Sequence, residues 1–350
     1  MNELDSIYRN PTIKDIASLS GVSIATVSRV LNNRPDVSAR TRENVLEHVR
    51  RQSYVANQSA RSLSAGKTGL IGLVSPYLDG EYFSKIIDGA AEASYARDAR
   101  LVVSSTHHRH DREVSVLSRL MRGATDGALL ILPGEFDAGP AVTDKAMYPI
   151  VVIDPVHPTP PHNGVPVVST ANLAGARSIV EHLTGLNHTR IGVITGRRDG
   201  LASEQRLSGY RLALAEASAP FDPDLVFDHD TAFRFDDGVR GAEYLLSLPD
   251  RPTAIFAFND AMAVGVLHVA QRLGLRVPQD LSVAGYDNVE LARYAIPTIT
   301  TVAQPLQEVG RVAVDLLYRM IEGRPVDSMV VELSTTLVVG GSTDVRPAAR

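Results

Sequence analysis

Polar side chains stand directly after several short apolar runs, where they could bind a small molecule. Arg206 is expected to open a helix after the run 191–194. The others, each with the preceding run in parentheses, are Asp154 (150–153), Asn259 and Asp260 (254–258), Tyr286, Asp287 and Asn288 (281–285), and Gln304 (299–302). Carboxylates, amides and a guanidinium can each bridge two adjacent donors or acceptors. Such a set suits a neutral ligand that is polyhydroxylated or heterocyclic. Asp260 alone is expected to cap the helix that starts after it.

A second set of side chains, near the N-terminus, could read DNA. A short amphipathic stretch leaves one face off its apolar stripe: Ser23, Ala25, Thr26, Ser28, Arg29 and Asn32. Small side chains let a helix lie deep in the major groove, where Arg29 and Asn32 can bond to base edges or phosphates. Ile24 and Ala25 are expected to select the half-site through apolar contact with a thymine methyl group.

Two short helices must hold this second set. Apolar residues at 13, 16, 17 and 19, and again at 24, 27, 30 and 31, predict two amphipathic helices over one small core. Thr12, which we also include among the DNA-binding residues, can cap the first helix with Asp15 in a capping box, and Ser23 can cap the second. Gly21 supplies the turn, so the stretch predicts a helix-turn-helix. A third helix is expected from a Ser38 cap to about Gln52.

An α/β core must hold the first set. From residue 70 onward, short continuous apolar runs alternate with helical stretches. The helices are expected near 83–96, 113–122, 171–185, 206–217, 237–247, 260–273 and 306–321. Strands buried on both faces indicate parallel sheets, here in two doubly wound lobes. The carboxyl ends of the strands then line a crevice between the lobes, where a ligand belongs.

Catalytic and metal motifs are missing from the sequence. There is no phosphate loop with the glycine that it needs, no G-x-S-x-G, no H-E-x-x-H and no G-x-G-x-x-G. His107, His108 and His110 follow a strand in a loop, without the spacing or cysteine partners of a zinc site, so a solvated loop is favoured. We expect no enzyme, no cofactor and no bound metal.

Composition separates a basic end from an acidic body. The chain has 350 residues and a net charge of −5, but residues 1–67 carry +4 and the remainder −9. A cationic end can hold DNA while the body is repelled from it. The length suggests two or three domains. No cysteine, no secretory signal and no apolar run long enough to span a membrane predict a cytoplasmic protein.

The string VSIATVSRVLN resembles the recognition helix of the LacI/GalR family of transcriptional regulators. The likeness continues through 37–45, which is similar to that family's third helix, and 54–63, which is similar to its hinge helix. Arg206-Leu207-Ser208-Gly209-Tyr210, the segment 258–265 and the segment 285–305 match its effector-domain signatures. The resemblance covers residues 12–341.

This resemblance implies a periplasmic-binding-protein-like core and names further residues. Two hinge helices, one per subunit, would pair in the minor groove, with Leu63 wedged between base pairs and Asn57 and Arg61 beside the backbone. The alternative for 57–65 is a flexible linker. On the effector the family would place Arg206, Asn259, Asp287, Asp154 and Gln304, with Phe233 stacking on a ligand ring.

The effector class is predicted by weighing two branches of the family. Tyr82 and Phe83 stand where a purine-responsive branch has its stacking aromatics. Against purine, the positions six and four residues before Arg206, where base-reading Arg and Thr are expected, hold Gly200 and Ala202. A sugar or sugar derivative therefore ranks first, and a purine or nucleoside second.

The prediction is a repressor that acts as a homodimer on double-stranded operator DNA under control of that effector. Its parts are expected as a head (1–56), a hinge (57–67), a core (68–341) and a tail (342–350). Within the core, lobe one is expected at 68–167 and 300–327, and lobe two at 168–299 and 328–341. A sugar-transport binding protein would share the core but would need an export signal, and an α/β enzyme would need a nucleophile or base in the crevice.

Overall fold

A computed structural model describes residues 11–54, 67–132, 148–157, 165–198, 200–229 and 231–346. The chain divides into two compact units, Met1–Thr68 and Gly69–Arg350. Among the described residues, no helix is both long and apolar enough to cross a bilayer.

The N-terminal unit is a three-helix head. Its helices are α1 (Ile13–Ser20), α2 (Ile24–Leu31) and α3 (Ala39–Arg51). Their apolar faces share one small core of Ile16, Ala17, Val27, Val30, Val45 and Tyr54. Gly21 ends α1 with φ +65°, a conformation that glycine adopts without steric cost, and so allows the sharp turn into α2.

The first lobe of the C-terminal unit is built on a parallel six-stranded sheet. Its strands are β1 (Leu70–Ser75), β2 (Arg100–Ser105), β3 (Gly127–Ile131), β4 (Ile150–Ile153), β5 (Val167–Thr170) and β11 (Val330–Leu333), in the order β11-β5-β4-β3-β1-β2. One face packs against α4 (Glu81–Tyr95) and α11 (Leu306–Ile321), and the other against α5 (His110–Arg119). Both faces are covered, which explains the apolar runs of the central strands β1, β3 and β4.

The second lobe has a parallel four-stranded sheet in the order β7-β6-β8-β9. The strands are β6 (Ile191–Ile194), β7 (Val226–Phe227), β8 (Ala254–Ala257) and β9 (Ser282–Ala284). One large core unites them with α6 (Asn172–Gly185), α7 (Leu201–Glu216), α8 (Phe235–Ser247) and α9 (Asp260–Arg272). The short helix α10 (Glu290–Tyr294) follows β9.

Three chain segments connect the lobes. The chain passes from β5 into α6, from β10 (Thr301–Ala303) into α11, and from β11 into β12 (Thr336–Val338). Strands β10 and β12 pair antiparallel as a two-stranded ribbon. Crossings of this kind let two lobes rotate about a common hinge.

Lobe membership differs from the expected boundaries at two strands. Residues 168–170 and 328–333 were expected in lobe two, yet β5 pairs with β4, and β11 pairs with β5, in the sheet of lobe one. The expected tail is also partly packed: Ser342 is fully buried and its hydroxyl donates to the Val283 carbonyl over 2.5 Å. Strand pairing is a long-range choice, and for this reason local sequence patterns did not reveal it.

Candidate functional site

The exposed face of α2 carries most of the residues predicted to read DNA. Ser23, Ile24, Ala25, Arg29 and Asn32 are exposed, whereas Thr26 and Ser28 are half-buried. Ser23 caps α2 by accepting from the Thr26 amide over 3.1 Å. Thr12 caps α1, and the Asp15 carboxylate accepts from the Thr12 amide over 2.7 Å, which completes the capping box. These local bonds hold a continuous, mainly polar face with two apolar side chains, Ile24 and Ala25.

The other predicted DNA-binding residues cannot be placed on this face. Asn57, Arg61 and Leu63, together with most of the expected hinge segment 57–67, lie outside the described residues. Their roles remain predictions.

The first wall of the crevice comes from lobe one. Asp154 follows β4 with φ +46°, and its carboxylate Oδ2 accepts a hydrogen bond from the Tyr82 hydroxyl at the start of α4. Asp154 Oδ1 is buried and has no hydrogen-bond partner of normal geometry. Phe83 packs edge-on against Tyr82, with ring centroids 5.1 Å apart, and against Tyr77 at 6.0 Å. Tyr82 and Asp154 therefore form one unit, and Phe83 lies beside it.

The opposite wall is organised around Arg206. Its guanidinium is buried, lies 3.7 Å above the Tyr286 ring, and donates through Nη1 to the Phe258 carbonyl. Nη2 lies 3.9 Å from Asp287 Oδ1. Arg206 was expected to open its helix, but α7 begins at Leu201 and Arg206 lies in the second turn. The side chain thus projects from a rigid helix and not from a fraying end.

A set of hydrogen bonds joins this guanidinium to the segments that connect the lobes. Arg206 Nε donates to Asn172 Oδ1 over 2.8 Å, and Asn172 Nδ2 donates to the Thr170 carbonyl over 3.1 Å. The Thr170 hydroxyl donates to Gln304 Oε1 over 2.5 Å, and Gln304 Nε2 donates to Asp287 Oδ1 over 2.6 Å. Thr170 and Gln304 lie on two different interlobe connections. These hydrogen bonds therefore connect predicted effector residues directly to the segments that join the two lobes.

Phe233 and Asn259 complete the lobe-two side. Phe233 has φ +61°, and its ring covers Gly196 so closely that a Cβ there would lie 1.8 Å from Phe233 Cζ. Arg206 lies 5.9 Å from the centroid of this ring. Asn259 caps α9 by accepting from the Met262 amide over 2.9 Å, and its Nδ2 donates to the Phe233 carbonyl over 2.8 Å. Asn259 thus holds Phe233 in place.

The cap of α9 corrects an expectation about Asp260. Asn259, and not Asp260, caps this helix. Asp260 is fully buried and accepts from the Val289 amide over 2.9 Å and from the Thr301 hydroxyl over 2.6 Å. It ties the segment after β9 to β10, a structural task behind the crevice.

Burial makes the carboxylates of this region reluctant to ionise. Burial raises the pKa of Asp287 to about 6, although the Arg206 guanidinium opposes the shift. Burial likewise raises the pKa of Asp154, opposed by the Tyr82 hydroxyl and Arg206. The pKa of Tyr82 lies well above its usual value, because of burial and the neighbouring Asp154 charge. The low dielectric of the buried site therefore raises the pKa values of these acids more than the single Arg206 guanidinium, which they share, lowers them.

Two residues of the site, Thr170 and Asn172, escaped the sequence analysis, and one contact of a third residue, Tyr286, was not predicted. Thr170 is the last residue of β5 and Asn172 the first of α6, and β5 was not recognised because a proline-rich segment precedes it. Asp154 was found by inspecting the residues at the end of a predicted strand, and the same rule would have found Thr170 and Asn172 if β5 had been predicted. Tyr286 was noted beside Asp287, but the contact of its ring with Arg206 has no sequence signal.

The histidines of the β2–α5 loop contact an aromatic side chain. His107 and His108 lie 5.8 and 5.3 Å from the Tyr77 ring, in edge-on geometry. Within the described part of the chain, no three His, Asp or Glu side chains are grouped to hold a metal ion.

The crevice can therefore bind a ligand rich in hydrogen-bond donors. It offers carboxylate oxygens from both lobes, one guanidinium, amide groups and the aromatic rings Tyr82 and Phe233. Asp154, Phe233 and Asp287 also have positive φ, a strained conformation that persists mainly at functional sites. No covalent chemistry is needed to explain this arrangement.

Comparison with known proteins follows the same division of the chain. Residues 12–57 match the model of bacterial regulatory proteins, lacI family, and residues 180–343 match that of a periplasmic binding protein-like domain.

Whole-length relatives agree with these matches. The chain is 33% identical over 335 residues to the HTH-type transcriptional repressor PurR of Vibrio vulnificus (strain CMCP6), covering 94% of this chain and 97% of that protein. It is 31% identical to catabolite control protein A of Priestia megaterium, covering 93% and 96%.

Solved structures with the same architecture include two that carry ligands. One is a complex of the transcriptional regulator CelR with cellobiose, at 32% identity and TM-score 0.72, covering 95% of this chain and 99% of that one. The other is the Lac repressor dimer bound to operator and the anti-inducer ONPF, at 26% identity and TM-score 0.85, covering 96% and 100%.

Proposed function

This chain belongs to the lacI family of bacterial regulatory proteins, and we propose that a sugar or sugar derivative, bound between its lobes, sets its affinity for operator DNA. The chain is a DNA-binding transcriptional regulator with an effector-binding core. The crevice is assigned a binding role and no catalytic one. A protein that binds operator DNA acts where that DNA lies, so we place this regulator in the cytoplasm, at the nucleoid.

One observation carries the sugar proposal: the acceptors Asp154 and Asp287, which come from opposite lobes, both interact with the Arg206 guanidinium. Carboxylate acceptors pair with the hydroxyl donors of a carbohydrate, and the guanidinium donates to its oxygens. Asp154 Oδ1, buried without a hydrogen-bond partner of normal geometry, is an acceptor that such a ligand would satisfy. The similarity to a regulator solved with cellobiose favours the same class.

A purine or nucleoside is the second candidate. The similarity to the HTH-type transcriptional repressor PurR and the aromatic pair Tyr82 and Phe83 favour it. Against it, Tyr82 directs its hydroxyl to Asp154, and Gly200 and Ala202 offer no side chain that could read a base.

We propose that the protein represses as a homodimer on a near-palindromic operator. Two half-sites multiply the specificity of one small helix-turn-helix. Lobe two exposes an apolar patch at α10: Leu291 is 44% exposed, Tyr294 74% and Ile296 95%, and burial in a dimer would remove this surface from water. The Lac repressor, similar over the whole chain, is a dimer on its operator.

Ligand control would pass through the hinge. Closing the crevice would change the spacing of the two hinge segments, so that the helices at 57–65 either pair on DNA or melt. Leu63 would be the wedge, with Asn57 and Arg61 beside it. We expect Leu63→Ala to weaken operator binding, measured by fluorescence anisotropy, while ligand-induced thermal stabilisation is unchanged. Unaltered DNA binding would contradict the wedge.

The effector class is tested by thermal shift. The full chain is melted with cellobiose, glucose, ribose, guanine or hypoxanthine, because a ligand that binds the native state raises its melting temperature. We expect a carbohydrate to do so, and Asp154→Asn to abolish the shift. Asp224→Asn, an exposed position away from the crevice, is the matched control. A shift by purines alone would favour the second candidate, and a shift that survives in Asp154→Asn would refute the crevice assignment.

A further inference from the structure

The predicted base-reading arginine has a carboxylate partner. Arg29, in the last turn of α2, places Nε 3.5 Å from Asp36 Oδ2, in the turn that leads to α3. Both side chains are more than half exposed, at 59% and 56%. Water screens so exposed a pair, and its contribution to stability is small. The pair matters instead for where it holds the Arg29 guanidinium.

The turn that carries Asp36 is anchored at both ends. Arg42, from α3, donates through Nη1 to Asn33 Oδ1 over 2.9 Å and to the Val30 carbonyl over 3.4 Å, and through Nη2 to the Arg34 carbonyl. At the other end, Ser38 caps α3 by accepting from the Thr41 amide over 3.2 Å. Asp36 therefore projects from a short segment whose two ends are attached to the body of the head.

The ion pair uses the inner nitrogen of the guanidinium. Because Asp36 approaches Nε, the terminal Nη1 and Nη2 groups of Arg29 remain available for a bidentate contact with the N7 and O6 acceptors of guanine. Without a fixed partner, the same side chain could rotate to a phosphate, a contact that carries no sequence information.

We propose that Asp36 is a positioning residue, which orients Arg29 toward base edges and restrains it from the phosphate backbone. The proposal rests on the DNA-reading role of Arg29 proposed for this regulator. In this view Asp36 sets the ratio of specific to nonspecific binding and adds little to affinity itself. Its negative charge near the DNA weakens binding to every duplex alike.

The test compares two variants that lose the same charge. The wild-type full chain selects a duplex from a random library, and dissociation constants for this duplex and a scrambled one are measured by fluorescence anisotropy at one salt concentration. We expect Asp36→Ala to lower the specific-to-nonspecific ratio by about five- to tenfold, as expected for loss of one oriented base contact. Glu47→Ala, which breaks the exposed pair of Glu47 with Arg51 on α3, should leave the ratio unchanged. Asp36→Asn, which keeps an oxygen acceptor, should lose less than Asp36→Ala.

A double-mutant cycle shows whether Asp36 acts through Arg29. Arg29→Ala should lower the ratio by itself, and adding Asp36→Ala should then have no further effect. The proposal is overturned if Asp36→Ala changes the ratio no more than Glu47→Ala does, or if its full effect persists without Arg29. If Arg29→Ala leaves the ratio unchanged, the reading role of Arg29 fails, and the positioning role fails with it. Circular dichroism melts confirm that each head is folded.

Discussion

Replacing Asp287 by asparagine should stabilise the protein near neutral pH. The pKa of this carboxyl is raised by burial from 3.8 to about 6. Each pKa unit corresponds to about 1.4 kcal/mol, so ionising the folded protein costs about 3 kcal/mol more than ionising the unfolded chain. Asparagine resembles the protonated carboxyl in shape and charge and avoids this cost. Asp287→Asn should therefore raise the free energy of unfolding by about 3 kcal/mol at pH 7.

The sign of the pH dependence follows from the raised pKa. Below about pH 4 the carboxyl is protonated in both states, and wild type and variant should be equally stable. As the pH rises from about 4 to about 6, the unfolded chain ionises first, so the wild type loses stability that the variant keeps. Above about pH 6 the difference in unfolding free energy between variant and wild type, here called the gap, should remain constant. The stabilised variant should bind effector less well, because it lacks the carboxylate.

Urea unfolding, followed by tyrosine fluorescence, measures this gap. The chain has 11 tyrosines and no tryptophan, so the signal needs no added probe. Asp280→Asn is the control, for which we expect a change in unfolding free energy of the opposite sign. Asp280 is half-buried, and its hydrogen bonds with the Arg276 side chain lower its pKa. This variant should therefore be slightly less stable than wild type at pH 7, and the difference should shrink only as the pH falls below about 4, the ordinary pKa of an aspartate. The reasoning is refuted if Asp287→Asn is no more stable than wild type at pH 7, or if the gap persists at pH 4.

Three further variants test contacts of the core by urea unfolding. Asn259→Ala removes the cap of α9 and should cost about 1 kcal/mol, whereas Asn259→Ser should recover most of it; equal losses would show that the cap is unimportant. In Gly310→Ala the new Cβ would lie 2.1 Å from the Ile86 carbonyl oxygen and force α11 away from α4; we expect a loss of about 1–3 kcal/mol, and a loss below about 0.5 kcal/mol would contradict this packing. Tyr82→Phe leaves Asp154 without its hydroxyl donor and should cost about 1–3 kcal/mol at pH 7; a variant as stable as wild type would show that the hydrogen bond contributes nothing.

The head and much of the core could be predicted because their signals are local. Thr12, Ser23 and Ser38 lie next to the amides that they cap, so residue type and spacing were sufficient. Helix α11 was predicted with its observed bounds, 306–321, because its apolar period is unbroken. The start of α7 was missed by five residues, because no side-chain cap marks Gly200.

Other features depended on partners far along the chain. Strand β11 belongs to lobe one only because it pairs with β5, which is about 160 residues earlier. The choice between Asn259 and Asp260 as the cap of α9 was decided by Thr301 and Val289, which claim the Asp260 carboxylate.

From sequence alone came the helix-turn-helix, the alternating α/β pattern and the polar residues at strand ends. All three follow from periodicity and neighbouring residues, which the chain carries wherever it folds. The tertiary structure alone decided how those polar residues are joined. Thr170 reaches Gln304 across 134 positions, and Arg206 lies on the Tyr286 ring, because two lobes and their connections converge there. A spacing pattern cannot encode such contacts, since each depends on the orientation of several packed elements at once.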